Sequence, residues 1–282
     1  MKLNIPSDGT KIGHDGEKLV VPNNPIIPYI IGDGIGIDVT PVMKRVLDYA
    51  VNKAYGNSRE IKWLELYAGS NSEDLYGSIL PEETIEAMKD YRISIKGPLT
   101  TPIGKGHKSI NVRIRQKLDL FACVRPIKYF PGTSTPMAES GLTDMVVFRE
   151  NTEDLYSGIE WEPNSPGAKR IIDFINKELG CSPFRFENNC GIGIKPVSEE
   201  GTKRLIRMAI DYSLAMNKSS ITIVHKGNIM KYTEGAFRDW AYDVVTNEYN
   251  GIIQKDNTYI IENSKFNSEI IVKDCIADNF LQ

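Results

Sequence analysis

The sequence predicts an α/β fold, because short runs of apolar and β-branched residues alternate with longer segments of helical periodicity. In the first part of the chain we predict strands at 26–31, 61–67 and 92–95, and helices at 41–55 and 81–91. This strand–helix rhythm is typical of a sheet with helices packed against it. The glycine-rich turn that follows the first of these strands supports the same fold class.

The first long helix carries boundary signals at both ends. Thr40 is the predicted N-cap, Pro41 takes the first helical position, and Gly56 lies just past the end. Apolar residues recur at helical spacing and predict one buried face: Val39, Met43, Val46, Leu47, Ala50 and Val51.

The pattern continues in the second part of the chain, with predicted strands at 121–124 and 145–148. The segment 154–198 interrupts the rhythm with several prolines and one helix near 168–179, so we expect it to protrude. A strongly amphipathic helix follows at 199–216.

Composition excludes several classes of function. The 282 residues allow two modest domains or one large one, with 41% hydrophobic and 25% charged residues, as in ordinary globular proteins. A net charge of −3 argues against nucleic-acid binding, and no apolar run is long enough to span a membrane. The N-terminus lacks the apolar core of a signal peptide. Four scattered cysteines indicate reduced thiols and a cytoplasmic location, with no zinc site, and such a location disfavours a Cys181–Cys190 disulfide.

The turn Gly32-Asp-Gly-Ile-Gly36 resembles a dinucleotide-binding fingerprint only in part. The fingerprint requires a third glycine at position 37, where Ile37 stands. We therefore interpret the segment as a tight turn between a strand and a helix.

The run Thr222-Ile-Val-His225-Lys226-Gly-Asn228 contains the strongest single signal of chemistry. Residues 221–224 predict a buried strand, and a helix opens at 233–240. In open α/β proteins, ligands bind beyond the carboxyl ends of strands, so Lys226 is a candidate proton acceptor. On its own, a lysine in this place is more often a solvated loop charge.

Several other polar residues stand at positions suited to anion binding. Arg115 lies on a predicted helix that Ser109 and Asn111 open, and Arg125 and Arg149 are expected just beyond apolar strands. Guanidinium groups pair bidentately with carboxylates, and a helix N-terminus attracts anions. The ordinary alternatives are surface arginines paired with local acids and a serine that only caps its helix.

Six segments in order carry a resemblance to a known family: Lys96-Gly-Pro-Leu-Thr100-Thr101-Pro, Ser109-Ile-Asn111-Val-Arg-Ile-Arg115-Gln, Cys-Val-Arg125-Pro, Phe-Arg149-Glu-Asn-Thr-Glu-Asp154-Leu-Tyr156-Ser-Gly-Ile-Glu160-Trp, the Lys226 segment and Ile276-Ala-Asp278. Together they closely resemble the bacterial-type, NADP-dependent isocitrate dehydrogenases of the isocitrate/isopropylmalate dehydrogenase family, over nearly the whole chain from Pro25.

The resemblance implies a large α/β domain, a small α/β domain and a clasp, without the usual Rossmann fingerprint. It assigns 1–120 to the N-terminal part of the large domain, 121–153 and 199–282 to the small domain, and 154–198 to an intersubunit clasp. The chain stops at 277–282 in what we expect to be the middle of a helix, and members of the family continue further. We therefore expect an N-terminal portion of the full enzyme.

The same resemblance implies residue roles. Lys226 and Tyr156 match the catalytic pair. The other matches are listed by role: Ser109, Asn111, Arg115, Arg125 and Arg149 for substrate binding, Thr100, Thr101, Asn111 and Gln282 for cofactor binding, and Asp278 for the metal. Asp274, expected one helical turn before Asp278, serves as an ordinary solvated acid for comparison.

The implied activity is NADP-dependent oxidative decarboxylation of isocitrate to 2-oxoglutarate and CO₂, with Mg²⁺ or Mn²⁺, in the tricarboxylic acid cycle. The resemblance further implies a cytoplasmic homodimer with shared active sites, in which Asp278 reaches the partner's site. It also implies phosphorylation of Ser109 by a regulatory kinase/phosphatase at the glyoxylate bypass. No nucleic-acid or membrane partner is expected.

Two alternatives stay open at this point. A 3-isopropylmalate, homoisocitrate or tartrate dehydrogenase is disfavoured by the polar segment from Ser109 to Arg115, because an isopropyl group would require apolar contacts. The other alternative is an inactive truncated domain that serves only in interactions. The sequence of this segment does not distinguish NADP from NAD.

Overall fold

A computed structural model describes residues 2–16, 18–101, 109–181 and 184–281. The chain forms two compact units, Met1–Leu120 and Phe121–Gln282. Each unit combines helices with small β-sheets, which confirms the predicted α/β class.

The strands are β1 (Gly13–His14), β2 (Leu19–Val20), β3 (Ile26–Ile30), β4 (Lys62–Leu66), β5 (Ile95–Lys96), β6 (Ala122–Lys128), β7 (Asp144–Glu150), β8 (Glu160–Trp161), β9 (Ile192–Gly193), β10 (Ser220–His225), β11 (Ile252–Ile253), β12 (Tyr259–Asn263) and β13 (Ser268–Ile276). The α-helices are α1 (Gly36–Tyr55), α2 (Ser70–Tyr76), α3 (Glu82–Tyr91), α4 (Ile110–Lys117), α5 (Pro166–Lys177), α6 (Glu199–Ala215), α7 (Ala236–Asn247) and α8 (Ala277–Phe280). Short 3-10 helices lie at Gly56–Ser58, Ser140–Leu142 and Asp154–Ser157, and a π-helical turn at Lys231–Gly235 leads into α7.

The central element of the first unit is a parallel sheet in which β3 lies between β4 and β5. Strands of a parallel sheet are usually covered on both faces, and most of the apolar residues of β3 and β4 are accordingly buried. They form one core with residues of α3 and α4: Ile26, Ile30, Leu64, Leu66, Ala68, Leu80, Ile85, Ala87, Met88, Tyr91, Leu99, Ile110 and Ile114.

Helix α1 differs from its prediction at its start. It begins at Gly36, one turn before the predicted cap, and Pro41 lies inside it. Thr40 is buried and donates its hydroxyl to the carbonyl of Ile31 at 2.8 Å, so it joins the helix to the end of β3. Gly56 follows the last residue of the helix, as predicted, and its N–H bonds the carbonyl of Asn52.

The predicted buried face of α1 is also wrong for this chain. Val39, Val46 and Ala50 are exposed, and Met43, Leu47 and Val51 are half-buried. The helical period was identified correctly, but no element in the described part of the chain covers this face.

The predicted strand at 92–95 is shorter than expected. Arg92 has a positive φ of 66° and ends α3, so only Ile95 and Lys96 pair with β3. The prediction of α3 itself is confirmed, with Pro81 immediately before its first residue.

The second unit contains a four-stranded sheet in the order β10-β13-β12-β11. β10 and β13 run parallel, whereas β12 is antiparallel to both of its neighbours. Residues from this sheet and from α6 and α7 form the core: Ile206, Ile210, Ile223, Ala241, Val244, Val245, Ile261, Ile270 and Val272. The prediction of a helix around Asp274 is wrong, because this residue pairs with Ile223 within β13.

Two antiparallel strand pairs complete the unit, β6 with β7 and β8 with β9. Helix α5, which Ser165 caps, lies between β8 and β9 in the chain, close to its predicted bounds. All four cysteines are free thiols, so Cys181 and Cys190 are not bonded. Among the described residues, no helix has the length and apolar character needed to cross a bilayer.

Candidate active site

A buried carboxylate lies at the carboxyl end of the sheet in the first unit. One oxygen of Asp33 accepts hydrogen bonds from the backbone N–H and the hydroxyl of Ser70, at 3.0 and 2.8 Å. The other oxygen accepts from the N–H of Thr100 at 2.8 Å. Asp33 therefore joins the turns that follow β3, β4 and β5. A side chain at Gly69 would collide with this carboxylate, since a Cβ there would lie 2.4 Å from Asp33 Oδ1.

The loop held by Asp33 contacts the start of α4. The hydroxyl of Thr101 donates to Ser109 Oγ at 3.1 Å. Ser109 in turn accepts from the N–H of Val112, which confirms the predicted N-cap. The side-chain amide of Asn111 donates to the carbonyl of Leu99 at 3.2 Å. The fold thus brings Thr101, Ser109 and Asn111 together, next to Thr100 in the chain.

Two cations stand beside this loop. Desolvation and the neighbouring Arg115 guanidinium lower the pKa of Lys96, while Asp33 acts in the opposite direction. The ammonium of Lys96 donates to the carbonyl of Gly97 at 2.6 Å. Arg115 is half-buried and forms no ion pair within the described residues. This corner of the first unit therefore brings two cations close to side chains with hydroxyl and amide groups.

Arg125 and Arg149 lie within strands, and not beyond strand ends as expected. Arg125 pairs with Val147 across β6 and β7, and Arg149 pairs with Cys123. Directly opposed residues project from the same face of a sheet, so the two arginines are diagonal neighbours on one face. The sequence prediction failed because both strands extend past the apolar runs that identified them.

The guanidinium of Arg149 stacks over the ring of Tyr156, with 4.4 Å from Cζ to the ring centroid. Tyr156 belongs to the 3-10 helix Asp154–Ser157 and is 40% exposed. No carboxylate pairs with Arg125 or Arg149 in the part of the chain that the structure describes. A cavity of about 190 Å³ opens beside Arg149, and Asp154 and Glu234 also line it.

An ion-pair network leads from this 3-10 helix to the Lys226 loop. Lys195 contacts Asp154 at 3.4 Å and Glu234 at 2.6 Å. Burial opposes the charge of Lys195, but the bonds to Glu234 and Asp154 outweigh it and raise the pKa of this lysine. The second oxygen of Glu234 accepts the backbone N–H of Lys226 at 3.0 Å.

Lys226 follows the last residue of β10, and its side-chain ammonium forms an ion pair with Asp278. Asp278 lies in α8, directly after β13, the parallel neighbour of β10. The carboxyl ends of the two strands are adjacent, so the predicted base and the predicted metal ligand are brought together. Their side chains are 30% and 61% exposed, respectively, so both are accessible to a ligand.

Sequence reasoning missed a hydrogen-bond network around the buried His225, beside Lys226. His225 is only 4% exposed, and its Nε2 lies 2.9 Å from an oxygen of Asp274. The other oxygen of Asp274 accepts the hydroxyl of Tyr242 at 2.6 Å. A histidine within an otherwise apolar strand was the available signal, but its partners lie far away in the chain.

Gln282, the last predicted cofactor residue, falls outside the part of the chain that the structure describes. The basic residues Lys105, His107 and Lys108, which precede Ser109 in the sequence, also lie outside it. Within the described ranges, no three His, Cys, Asp or Glu side chains gather into a metal-binding group.

Comparison with known proteins identifies the family. The family model described as isocitrate/isopropylmalate dehydrogenase matches residues 26–267. The chain belongs to the isocitrate/isopropylmalate dehydrogenase family. The match covers both units and most of the candidate site residues, with Asp278 beyond its end.

Individual members of this family are similar over the whole chain. NADP isocitrate dehydrogenase 1 of Colwellia maris is 53% identical over 284 residues, which cover 100% of this chain and 68% of that protein. NADP isocitrate dehydrogenase of Pseudomonas aeruginosa is 50% identical over 285 residues, with the same coverage of 100% and 68%.

A solved structure, the isocitrate dehydrogenase of Methylococcus capsulatus, matches with a TM-score of 0.67 and 31% identity. That match covers 90% of this chain and 61% of the Methylococcus chain. The chain therefore spans about two thirds of the length of its relatives, and this shared region contains both units.

Proposed function

We propose that this protein catalyses the NADP-dependent oxidative decarboxylation of isocitrate to 2-oxoglutarate and CO₂. The names of the relatives that are 53% and 50% identical support this activity. The structural observation that carries the proposal is the pair of arginines on one face of β6 and β7. Arg125 and Arg149 have no carboxylate partner among the described residues, although Arg149 is partly buried.

Unpaired guanidinium groups at fixed positions favour a ligand with several carboxylates. A guanidinium offers a rigid fork of donors that matches a carboxylate, and isocitrate has three carboxylates. We assign Arg115, Arg125 and Arg149 to these groups, and Ser109 and Asn111 to further hydrogen bonds with the substrate. This polar set fits isocitrate better than a substrate with an isopropyl group.

The proton chemistry is assigned to Lys226 and Tyr156. Oxidation of the substrate alcohol removes a hydride to NADP⁺ and a proton, and Lys226 accepts that proton directly or through a relay. Lys226 must first lose a proton, because an ammonium has no lone pair, and release from the ion pair with Asp278 favours that loss. Loss of CO₂ from the β-keto acid then leaves an enolate, and Tyr156 supplies the proton that completes the product.

The stacking of Arg149 on Tyr156 suits this second role. A cation over the ring stabilises the phenolate that forms when the hydroxyl gives up its proton. The same arginine binds a substrate carboxylate in our assignment, so it also orients the substrate toward the tyrosine.

A divalent cation, Mg²⁺ or Mn²⁺, fits one feature of the described site. Asp278 offers an exposed carboxylate, and such cations bind one or two protein carboxylates together with substrate and water oxygens. When bound, the metal would supply Lewis-acid stabilisation of the enolate charge. Within the described residues, no group of three His, Cys, Asp or Glu side chains forms around it.

The cofactor assignment rests on the loop that Asp33 holds. Thr100 and Thr101 lie at the carboxyl end of the first sheet, where cofactors bind in open α/β proteins, and hydrogen bonds to Asp33 and Ser109 hold them there. Asn111 lies on the same loop cluster. NADP, rather than NAD, follows from the names of the relatives.

The wider biological assignments are part of the proposal. A homodimer with shared active sites is supported by exposed apolar residues in the segment 154–198, among them Phe174 and Leu179 at 54% and 57% exposure. We further assign the protein to the tricarboxylic acid cycle in the cytoplasm. Regulation of Ser109 by a kinase/phosphatase at the glyoxylate bypass remains a prediction.

The decisive experiment measures formation of reduced cofactor by the full-length protein with NADP⁺, Mn²⁺ and one of four substrates: isocitrate, 3-isopropylmalate, homoisocitrate or tartrate. We expect kcat/KM for isocitrate to exceed the others by roughly a hundredfold or more, because unmatched polar groups penalise the wrong substrate. A preference for 3-isopropylmalate would overturn the proposal, and so would inactivity with all four substrates.

A further inference from the structure

His225 is a buried polar residue with a hydrogen bond at each ring nitrogen. Nδ1 accepts the backbone N–H of Gly227 at 2.9 Å, and Nε2 lies 2.9 Å from Asp274 Oδ2. A backbone N–H can only donate, so Nδ1 carries no proton, and Nε2 donates to the carboxylate. The ring is therefore held in a single tautomer and a single orientation.

Asp274 anchors this ring to the rest of the unit. Its second oxygen accepts the hydroxyl of Tyr242, so one carboxylate ties β10 and β13 to α7. Burial disfavours the charge of Asp274, but the bonds from His225 and Tyr242 outweigh it and lower the pKa of the acid. Asp274 thus stays ionised and holds the imidazole in place at neutral pH.

The loop that carries Lys226 is held through its backbone. The N–H of Lys226 bonds Glu234, and the next N–H, that of Gly227, bonds His225. The loop also lies close to the π-helical turn, since a Cβ on Gly227 would be 2.8 Å from the Cα of Gly235. Side chains therefore hold two successive backbone groups, and the direction of the Lys226 side chain follows from them.

We propose that His225 is a positioning residue. Asp274 holds its ring, the ring fixes the backbone N–H of Gly227, and this contact directs the Lys226 side chain toward the substrate hydroxyl whose proton it accepts. The inference rests on the proposed role of Lys226 as proton acceptor. His225 touches neither substrate nor cofactor in this proposal, and its bond to Gly227 is the functional one. Loss of that bond lowers kcat, because a base displaced by a small distance transfers its proton poorly, while substrate binding is preserved.

Two substitutions separate the two bonds of the ring. His225→Asn places a side-chain oxygen near the position of Nδ1, so it can still accept from Gly227 but does not reach Asp274. His225→Gln reaches Asp274 with its amide and leaves the N–H of Gly227 without its acceptor. We expect kcat for isocitrate to fall roughly 10- to 100-fold in His225→Gln and only a few-fold in His225→Asn. KM should stay within about threefold of the parent in both variants.

Asn263→Ala is the matched control. Asn263 is a buried polar residue of the same sheet, and its amide bonds the carbonyl of Leu214 at 2.9 Å. Its replacement destabilises the sheet without touching the Lys226 loop. We therefore expect the control to lower thermal stability as much as His225→Gln does, and to keep kcat within about twofold of the parent.

The outcomes separate the positioning role of His225 from the proposed function. An active parent with equal kcat values for the Gln and Asn variants overturns the positioning role and leaves the proposed function intact. The positioning role also fails if Asn263→Ala loses kcat in proportion to stability, since the effect of His225 would then be structural. If Lys226→Met keeps the full kcat of an active parent, the assignment of Lys226 itself fails.

Discussion

The ammonium group of Lys226 forms an ion pair with the carboxylate of Asp278 across the ends of two adjacent parallel strands. The residues are 52 positions apart in the chain, and only the pairing of β10 with β13 makes them neighbours. The proposed proton acceptor and the proposed metal ligand are therefore in direct contact. In the proposed mechanism, each neutralises the charge of the other until a substrate or a cation binds.

The first prediction divides the catalytic pair. In the full-length enzyme, Lys226→Met should abolish most reduction of the isolated keto intermediate, because no group then supplies the proton of the new hydroxyl. Tyr156→Phe should retain much of this reduction but lose overall turnover, because the enolate is no longer protonated. Steady-state assays of keto reduction and of decarboxylation measure the two steps, and equal impairment of both steps by both changes would refute the division.

The second prediction concerns Arg125. Arg125→Lys should lower kcat/KM for isocitrate, with a loss of about 2–5 kcal/mol in transition-state stabilisation, since a lysine cannot form the bidentate pair with a carboxylate. Steady-state kinetics in the full-length enzyme test this change. Arg207→Lys is the control, because Arg207 already pairs with Glu248 at 2.5 Å on the surface, and it should leave kcat/KM nearly unchanged. Unaltered kinetics in Arg125→Lys would remove this residue from the substrate site.

The third prediction concerns charge at Ser109. A carboxylate can cap α4 as the serine does, so Ser109→Asp should fold normally. Two unit charges ~5 Å apart at an effective dielectric of ~20 repel by about 3 kcal/mol, which is over a hundredfold in affinity. Ser109→Asp should therefore nearly abolish isocitrate binding.

The companion variant separates the charge from the lost hydroxyl. Ser109→Ala loses the cap, at a cost of about 0.5–2 kcal/mol in stability, but should keep measurable activity. Isocitrate titration of both full-length variants provides the measurement. Parental affinity in Ser109→Asp would show that a negative charge here does not block the substrate.

The fourth prediction tests Asp33 as the anchor of the cofactor loop. In the parent protein, three hydrogen-bond donors point at the Asp33 carboxylate. In Asp33→Asn, the side-chain amide N–H faces one of these donors, so that hydrogen bond is lost. We expect a loss of about 1–3 kcal/mol in the free energy of unfolding, measured by chemical denaturation. Asp38→Asn, an exposed acid in the first turn of α1, should cost less than about 1 kcal/mol. Equal effects would contradict the anchoring role.

The fifth prediction concerns acid stability. Burial works against the charge of Asp274, but hydrogen bonds from His225 and Tyr242 lower its pKa below the ordinary value of 3.8. The folded state therefore binds this proton less readily than the unfolded state, and the stabilisation is complete above that value. It is lost as the pH falls through the lower pKa of the folded state.

The stability difference between the parent and Asp274→Asn should accordingly shrink as the pH falls from about 5 toward 3. Denaturant unfolding at several pH values follows this difference. A difference that stays constant over the whole range would show that the charge of Asp274 does not contribute to stability.

The sequence predicted the elements that depend on local pattern. The run before Lys226 contains β-branched residues and forms β10, and Ser109 is an N-cap because its side chain bonds a backbone group three residues away. Such signals are local and can be read without knowing the fold. The start of α1 was misplaced because Thr40 bonds Ile31, directly after the preceding strand, instead of its own helix.

The anchors around the site were not predictable in this way. Asp33 and Thr100 are 67 residues apart, and His225 and Asp274 are 49 residues apart. Asp33 lies between two glycines, which are typical of a turn, and Asp274 lies between Lys273 and Cys275, so the local pattern marks neither acid as an anchor. Arg125 and Arg149 were predicted to bind anions, but their common face follows only from the register of β6 with β7.

The sequence by itself determined the α/β class, the order of most helices and strands, and the types of residue available for chemistry, because periodicity, caps and turn residues act over a few positions. The tertiary structure decided which of these residues meet. Strand pairing placed Lys226 beside Asp278, and side-chain packing set Arg149 over Tyr156. These contacts depend on the burial of two hydrophobic cores, and that burial is a property of the folded chain as a whole.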